Sequence, residues 1–217
     1  MYKVDLHTHS EASPDGGITA EQYAEILQNE ALDFVAITDH DRIDFALGLH
    51  KALGDKIIVG QEITTAEGEL IGLYLKELVK PHTSAKEAAL AIRAQGGLVY
   101  VPHPFETTRN GLQQDVLDTL VDVIDIIEVQ NGRAITKKHS IQAATWAKIH
   151  GKTGAASSDA HGKKGIGHTY SIVSEVPSRG NLVSVIKMTS LTYKRPPLRT
   201  FLYPKMNRSL KKVGIKK

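Results

Sequence analysis

The chain has 217 residues, 41% of them hydrophobic, ten histidines and no cysteine. That length fits one domain with a sizeable core. The absence of cysteine excludes disulfide scaffolds, Fe–S clusters and thiolate zinc sites, so any metal site must use imidazole and carboxylate. The formal charge of +3 hides an asymmetry. Residues 191–217 carry nine Lys/Arg and no Asp or Glu, whereas residues 1–190 carry 18 basic and 24 acidic groups.

The pattern from the N-terminus reads as strand then helix, repeated. Tyr2–Leu6 reads as a strand, Thr19–Glu30 as a helix capped by Thr19 with Gln22 three residues on, and Phe34–Thr38 as a buried strand. Asp44–Leu53 reads as a helix, and Ile57–Val59 and Ile71–Leu75 as strands. Helices are predicted over Ser84–Ala94, Leu112–Val121 and Thr136–His150, and Ile135, Ile141 and Trp146 are expected in the core. The strands between and after them are Leu98–Val101, Val123–Val129, Gly154–Ser157 and Tyr170–Val173, followed by a helix over Gly180–Met188. This order predicts an α/β fold with a mostly parallel sheet. No apolar run reaches the roughly 20 residues that span a bilayer. With a strand starting at Tyr2, a signal peptide is not expected, and the chain is expected to be cytoplasmic.

Polar residues then fall at strand ends. His7 and His9 follow the first strand, Asp39 and His40 the second, Glu62 the third; His103 follows Leu98–Val101, and Asp159 and His161 follow Gly154–Ser157. Parallel strands in a barrel or open sheet end on one side, so these residues are expected at one mouth. At strand spacing, residues i and i+2 share a face, so His7 and His9 can reach one ion, and so can Asp159 and His161. Such a donor set suits Zn, Mn or Fe and exceeds what one ion needs, which implies two or three divalent ions. Clusters of this kind activate water and stabilise phosphoryl oxygens.

The segments Asp5-Leu6-His7-Thr8-His9-Ser10, Thr38-Asp39-His40-Asp41, Gly60-Gln61-Glu62-Ile63-Thr64-Thr65, His103-Pro104 and Ser158-Asp159-Ala160-His161 resemble the motifs of the PHP (polymerase and histidinol phosphatase) superfamily. The resemblance spans about residues 2–175. It implies a distorted (βα)7 barrel with a metal centre at the C-terminal strand ends, and phosphoester hydrolysis by a metal-bridging hydroxide. It implies His7, His9, Asp15, His40, Glu62, His103, Asp159 and His161 as metal ligands, with His7, His9, His40, His103, Asp159 and His161 carrying catalysis. Some family members place a further histidine after the Glu62 motif; here that segment begins with Glu69, which either replaces it or leaves one ion loosely held.

Arg133 and Asn131 end another strand and are candidates for binding substrate phosphate, as is His168. Asp39 and Asp5 are candidates to orient ligand imidazoles. The domain is expected over residues 1–190, with 191–217 an extended basic tail open to nucleic acid. The expected activity is hydrolysis of a small phosphomonoester, such as a nucleotide or histidinol phosphate. The alternatives are a nuclease guided by the tail and a non-catalytic binding domain.

Overall fold

The computed structural model describes residues 1–214, the side chains of residues 187–189 excepted. Nine strands form one sheet: β1 (Tyr2–Asp5), β2 (Phe34–Ile37), β3 (Ile57–Thr64), β4 (Glu69–Leu73), β5 (Leu98–Val101), β6 (Ile126–Asn131), β7 (Thr153–Ser157), β8 (Thr169–Val173) and β9 (Ile186–Tyr193). Their order is β7-β6-β5-β4-β3-β2-β1-β8-β9. The expected α/β barrel is present as a nearly closed sheet. β7 comes back against β8, where the Ser171 hydroxyl accepts from the Ala156 N–H at 2.9 Å and donates to the Ala156 carbonyl at 3.1 Å.

Strand pleating explains why the sheet buries both faces. Phe34, Ala36, Ile58, Tyr100 and Ile126 point to the barrel interior. Their neighbours Val35, Ile37, Ile57, Val59, Val99, Val101 and Ile127 point outward under the helices. The covering helices include α1 (Ala20–Gln28), α2 (Asp44–Leu53), α3 (Ala85–Ala94), α4 (Gln114–Thr119) and α5 (Lys138–Ile149). α1 and α3 begin with capping boxes at Thr19/Gln22 and Ser84/Glu87. Each satisfies two backbone donors that a helix start leaves open.

Several expectations are corrected. β4 and β8 run antiparallel to their neighbours, so the sheet is mixed. Gly180–Met188 is not one helix: α6 covers Leu182–Val185 only, and Ile186 starts β9, paired to Val173. There the β-branched pair Val185–Ile186 sits beside an open sheet edge, and strand pairing wins. Trp146 on α5 is buried, whereas Ile141 on the same helix and Ile135 ahead of it are exposed. The segment after Pro196–Pro197 is not extended. It forms a 3-10 turn over Leu198–Leu202 and then helix α7 (Tyr203–Lys212), with Pro204 in its first turn where a missing N–H costs nothing. Lys216 and Lys217 lie outside the described residues.

Candidate metal centre

β1, β2, β3, β5, β6 and β7 run in the same direction, so their C-terminal ends share one rim. β4 runs the other way, and its first residue, Glu69, pairs with Thr64 at the end of β3. An antiparallel strand thus delivers its N-terminal carboxylate to the same rim.

Four donor atoms meet at the centre. Nε2 of His7 lies 3.1 Å from Nε2 of His9, 3.3 Å from Oε2 of Glu62 and 3.6 Å from Oδ1 of Asp159. Nε2 of His9 lies 3.2 Å from Oε2 of Glu62 and 3.4 Å from Oδ1 of Asp159. A tetrahedral ion with bonds of about 2.1 Å separates its ligand atoms by roughly 3.4 Å. The spacing therefore fits a divalent cation.

The remaining predicted ligands flank this group. His103 Nε2 is 3.0 Å from the other Glu62 oxygen, and Glu69 approaches His103 at 3.7 Å and His40 at 3.8 Å. Asp15 Oδ2 faces His161 Nε2 at 3.3 Å and His40 Nε2 at 3.6 Å. Four groups could each hold an ion: His9 with Asp15, His40 and His161; His7 with Glu62 and His103; His7 with His9 and Asp159; and His40 with Glu62 and Glu69. All eight predicted ligand residues are brought together, with Glu69 added.

Local backbone sets these positions. His103 (φ 28°) and Asp159 (φ 51°) adopt left-handed conformations, which cost a non-glycine residue on the order of 1–2 kcal/mol each. They are fixed by hydrogen bonds, His103 N–H to Glu128 at 2.6 Å and Asp159 N–H to the His7 carbonyl at 2.9 Å. Gly16 lets the Asp15 loop lie on the first strand's continuation, since a Cβ there would collide with the Ser10 carbonyl.

Ring orientation is fixed from behind. Glu128 Oε1 faces His7 Nδ1 at 3.3 Å, which leaves Nε2 as the free lone pair. The Asp159 carbonyl does the same for His161 Nδ1 at 2.9 Å. Asp39 does not orient an imidazole; it accepts from the Ser10 N–H and hydroxyl. Asp5 accepts from the His7 and Ser158 backbone N–H groups.

The electrostatics is that of interlocked acids and bases. Burial alone would raise the carboxyl pKa values of Glu62, Asp159 and Asp15, yet the surrounding imidazoles hold all three below the usual range. Burial disfavours the charged form of His40, but Glu62 and Asp15 push it up to about 10. His161 is pushed down to about 4 by burial and by His9. Glu69 is pushed up to about 7 by burial and by Glu62. A cation is the natural counter-charge for so many convergent lone pairs.

The cleft above the cluster is small, about 210 Å³, and three arginines line it: Arg109, Arg133 and Arg208. Arg109 and Arg133 both reach Oδ2 of Asp159, at 2.5 and 3.4 Å. Arg208 reaches Asp15 at 2.8 Å. Asn131 is buried behind the rim, donating to Glu128 at 2.8 Å and accepting from Arg109 at 3.0 Å. His168 bonds to the Ile166 carbonyl and does not line the cleft, because its loop turns toward β9 through the Lys194 N–H. Lys163 pairs with Glu25 on α1. Sequence reasoning missed Glu128, Arg109 and Arg208 in these roles. Only Glu128 left a trace, as a charged residue between the apolar Ile127 and Val129 of its strand.

The PHP domain model matches residues 5–209. The chain belongs to the PHP domain family. The match runs past residue 175 and takes in most of α7, so the family likeness includes part of the segment read as a separate tail. The protein MJ0417 of Methanocaldococcus jannaschii is 32% identical over 186 residues, 80% of this chain and 71% of its own length. Among solved structures, a two-domain Bacteroides vulgatus protein with a PHP-like metal-dependent phosphoesterase superposes at TM-score 0.68. It is 20% identical, over 95% of this PHP chain and 69% of that chain. The lesion-specific endonuclease EndoQ of Pyrococcus furiosus superposes at TM-score 0.59. It is 18% identical, over 85% of this chain and 55% of that one.

Proposed function

We propose that this PHP domain is a metal-dependent phosphoesterase acting on a small phosphomonoester, such as a nucleotide or histidinol phosphate. The observation that carries the reading is the convergence of His7, His9, Glu62 and Asp159 at spacings of 3.1–3.6 Å beneath an arginine-lined cleft. His7, His9, Asp15, His40, Glu62, Glu69, His103, Asp159 and His161 would hold two or three ions of Zn, Mn or Fe. Bound divalent ions there supply Lewis acidity toward a phosphoryl oxygen and make water nucleophilic near neutral pH.

The protein's own groups do the rest. Arg109 and Arg133 face an anion entering the cleft and orient its phosphoryl oxygens through their planar donors. The side of the cluster opposite the cleft is closed by buried Tyr100, Glu128 and Ser157, which exclude water from behind. A cleft of this size takes a phosphoryl group and leaves the rest of the substrate outside. The test is phosphate release by Mn- or Zn-loaded protein from mononucleotides, sugar phosphates and histidinol phosphate. His9→Ala is expected to abolish it, and no release from any of these refutes the reading.

A second reading is a nuclease, favoured by exposed Lys205, Arg208 and Lys212 on α7 beside the cleft and by the likeness to EndoQ. Lys205→Glu with Lys212→Glu separates the two. Salt-sensitive binding of DNA or RNA that this pair abolishes supports a nucleic-acid substrate. Unchanged binding removes it.

A further inference from the structure

The two aspartates of the cluster meet their arginines differently. Asp159 divides its oxygens: Oδ1 faces His7, His9 and His161, and Oδ2 takes Arg109 and Arg133. Asp15 does not. Its Oδ2 faces His161 and His40 and is also the atom that Arg208 Nη2 holds at 2.8 Å, while Oδ1 accepts from the Ser13 hydroxyl at 3.1 Å. At Asp15 a guanidinium thus stands on the same oxygen that a cation among Asp15, His40 and His161 needs.

Arg208 is placed there by α7. Asn207, buried, donates from one amide nitrogen to the Asp15 carbonyl at 2.8 Å and the His161 carbonyl at 3.0 Å, tying together two loops that each carry a predicted ligand. Lys211 reaches the Glu11 and Ser13 carbonyls of the Asp15 loop. The Tyr203 ring packs so closely on Gly162 that a Cβ would come within 2.7 Å of it. The helix is therefore held on the rim at several points. The Arg208 side chain itself is 59% exposed and lines the cleft.

We propose that Arg208 is an exchangeable phosphate ligand: it neutralises Asp15 in the metal-free protein and turns to the substrate phosphate once a divalent cation takes Asp15 Oδ2. Asn207 is the positioning residue that keeps Asp15 and His161 at the spacing the cation needs. This rests on the phosphoesterase reading of the same site. Two cations cannot share one carboxylate oxygen without repulsion, so Arg208 opposes metal binding and, once displaced, supports anion binding. A purely structural arginine would oppose metal binding in the same way but would not support anion binding.

The experiment measures Mn2+ binding from the free-ion EPR signal, and inorganic phosphate binding to Mn-loaded protein by calorimetry. The proteins are wild type, Arg208→Ala, Arg208→Gln, Arg208→Lys and Asn207→Ala. Arg208→Ala and Arg208→Gln are expected to tighten the weakest Mn2+ equivalent roughly three- to tenfold and to weaken phosphate about tenfold. Arg208→Lys keeps the charge and returns both toward wild type. Asn207→Ala loosens the same Mn2+ equivalent. If both neutral variants loosen Mn2+, or leave phosphate affinity unchanged, the assignment of Arg208 is overturned. If wild type binds no Mn2+, the phosphoesterase reading falls with it. If wild type binds Mn2+ and hydrolyses phosphoesters while the neutral variants match it, only the Arg208 assignment falls.

Discussion

Glu128 Oε1 stands 3.3 Å from Nδ1 of His7, on the side of the ring away from the cleft. Burial alone would raise the Glu128 pKa, but the hydrogen bond and charge of His7 hold it below the usual carboxylate range. The same carboxylate accepts from Tyr100, His103 N–H and Asn131, so every donor around it expects two acceptor oxygens. Glu128→Gln puts an NH2 against those donors and weakens the basicity of His7. Metal affinity is expected to fall about 10- to 100-fold. Isothermal titration with Zn2+ or Mn2+ checks this, and an unchanged affinity refutes the role given to Glu128.

Asp5 gives a pH dependence with a definite sign. Burial drives its carboxyl up to about 7, against hydrogen bonds from Ser158 and His7, and its Oδ2 has no hydrogen-bond partner. A folded-state pKa above the ordinary aspartate value of 3.8 means that its contribution is fully present below that value and is lost as pH rises through about 7. Asn is isosteric with the protonated acid. Asp5→Asn is therefore expected to flatten the loss of stability of metal-free protein between pH 5 and 8, by about 2 kcal/mol or more at pH 8. Urea midpoints at the two pH values measure it, and parallel profiles for both proteins count against it.

At the seam of the barrel the Ser171 hydroxyl bridges β7 and β8. Ser171→Ala leaves the Ala156 N–H and carbonyl without the partner between β7 and β8. Two buried backbone groups stranded in this way cost on the order of 1–3 kcal/mol. Denaturant unfolding at fixed pH reads that loss, and a change under about 0.5 kcal/mol would show the seam to be held elsewhere.

Metal removal is expected to lower the melting temperature, because ions that bind only the folded cluster stabilise it by mass action. Scanning calorimetry before and after chelation, then after restoring Zn2+ or Mn2+, tests this. His9→Ala and Glu62→Ala proteins should show a smaller drop in melting temperature on chelation than wild type, because each substitution removes a donor from two of the four groups.

The rim was legible where chemistry followed strand period. His7 and His9 alternate with Thr8 as a strand requires, and Asp159 and His161 repeat the spacing, so their convergence followed from β direction alone. Glu69 was legible only as an alternative, because a ligand at the start of a strand reaches the rim only if that strand runs backwards. The reversal of β4 depends on pairing between distant segments. Arg109 was not legible: it sits in a loop 50 residues before the Asp159 it binds. The tail misled for a different reason. It read as extended and open to nucleic acid, but α7 turns Asn207 and Lys211 toward carbonyls of the Asp15 loop, and long-range pairing of this kind leaves no periodic signature.

Asp15 and Arg208 are separated by 193 positions in the chain. During synthesis the Asp15 loop leaves the ribosome long before the helix that braces it has been made. A nascent chain can therefore assemble most of its barrel while the Asp15 side of the cluster is still unbraced. Bracing of that side is therefore the last step of assembly, since Asn207 and Arg208 reach the Asp15 loop only after α7 has been made.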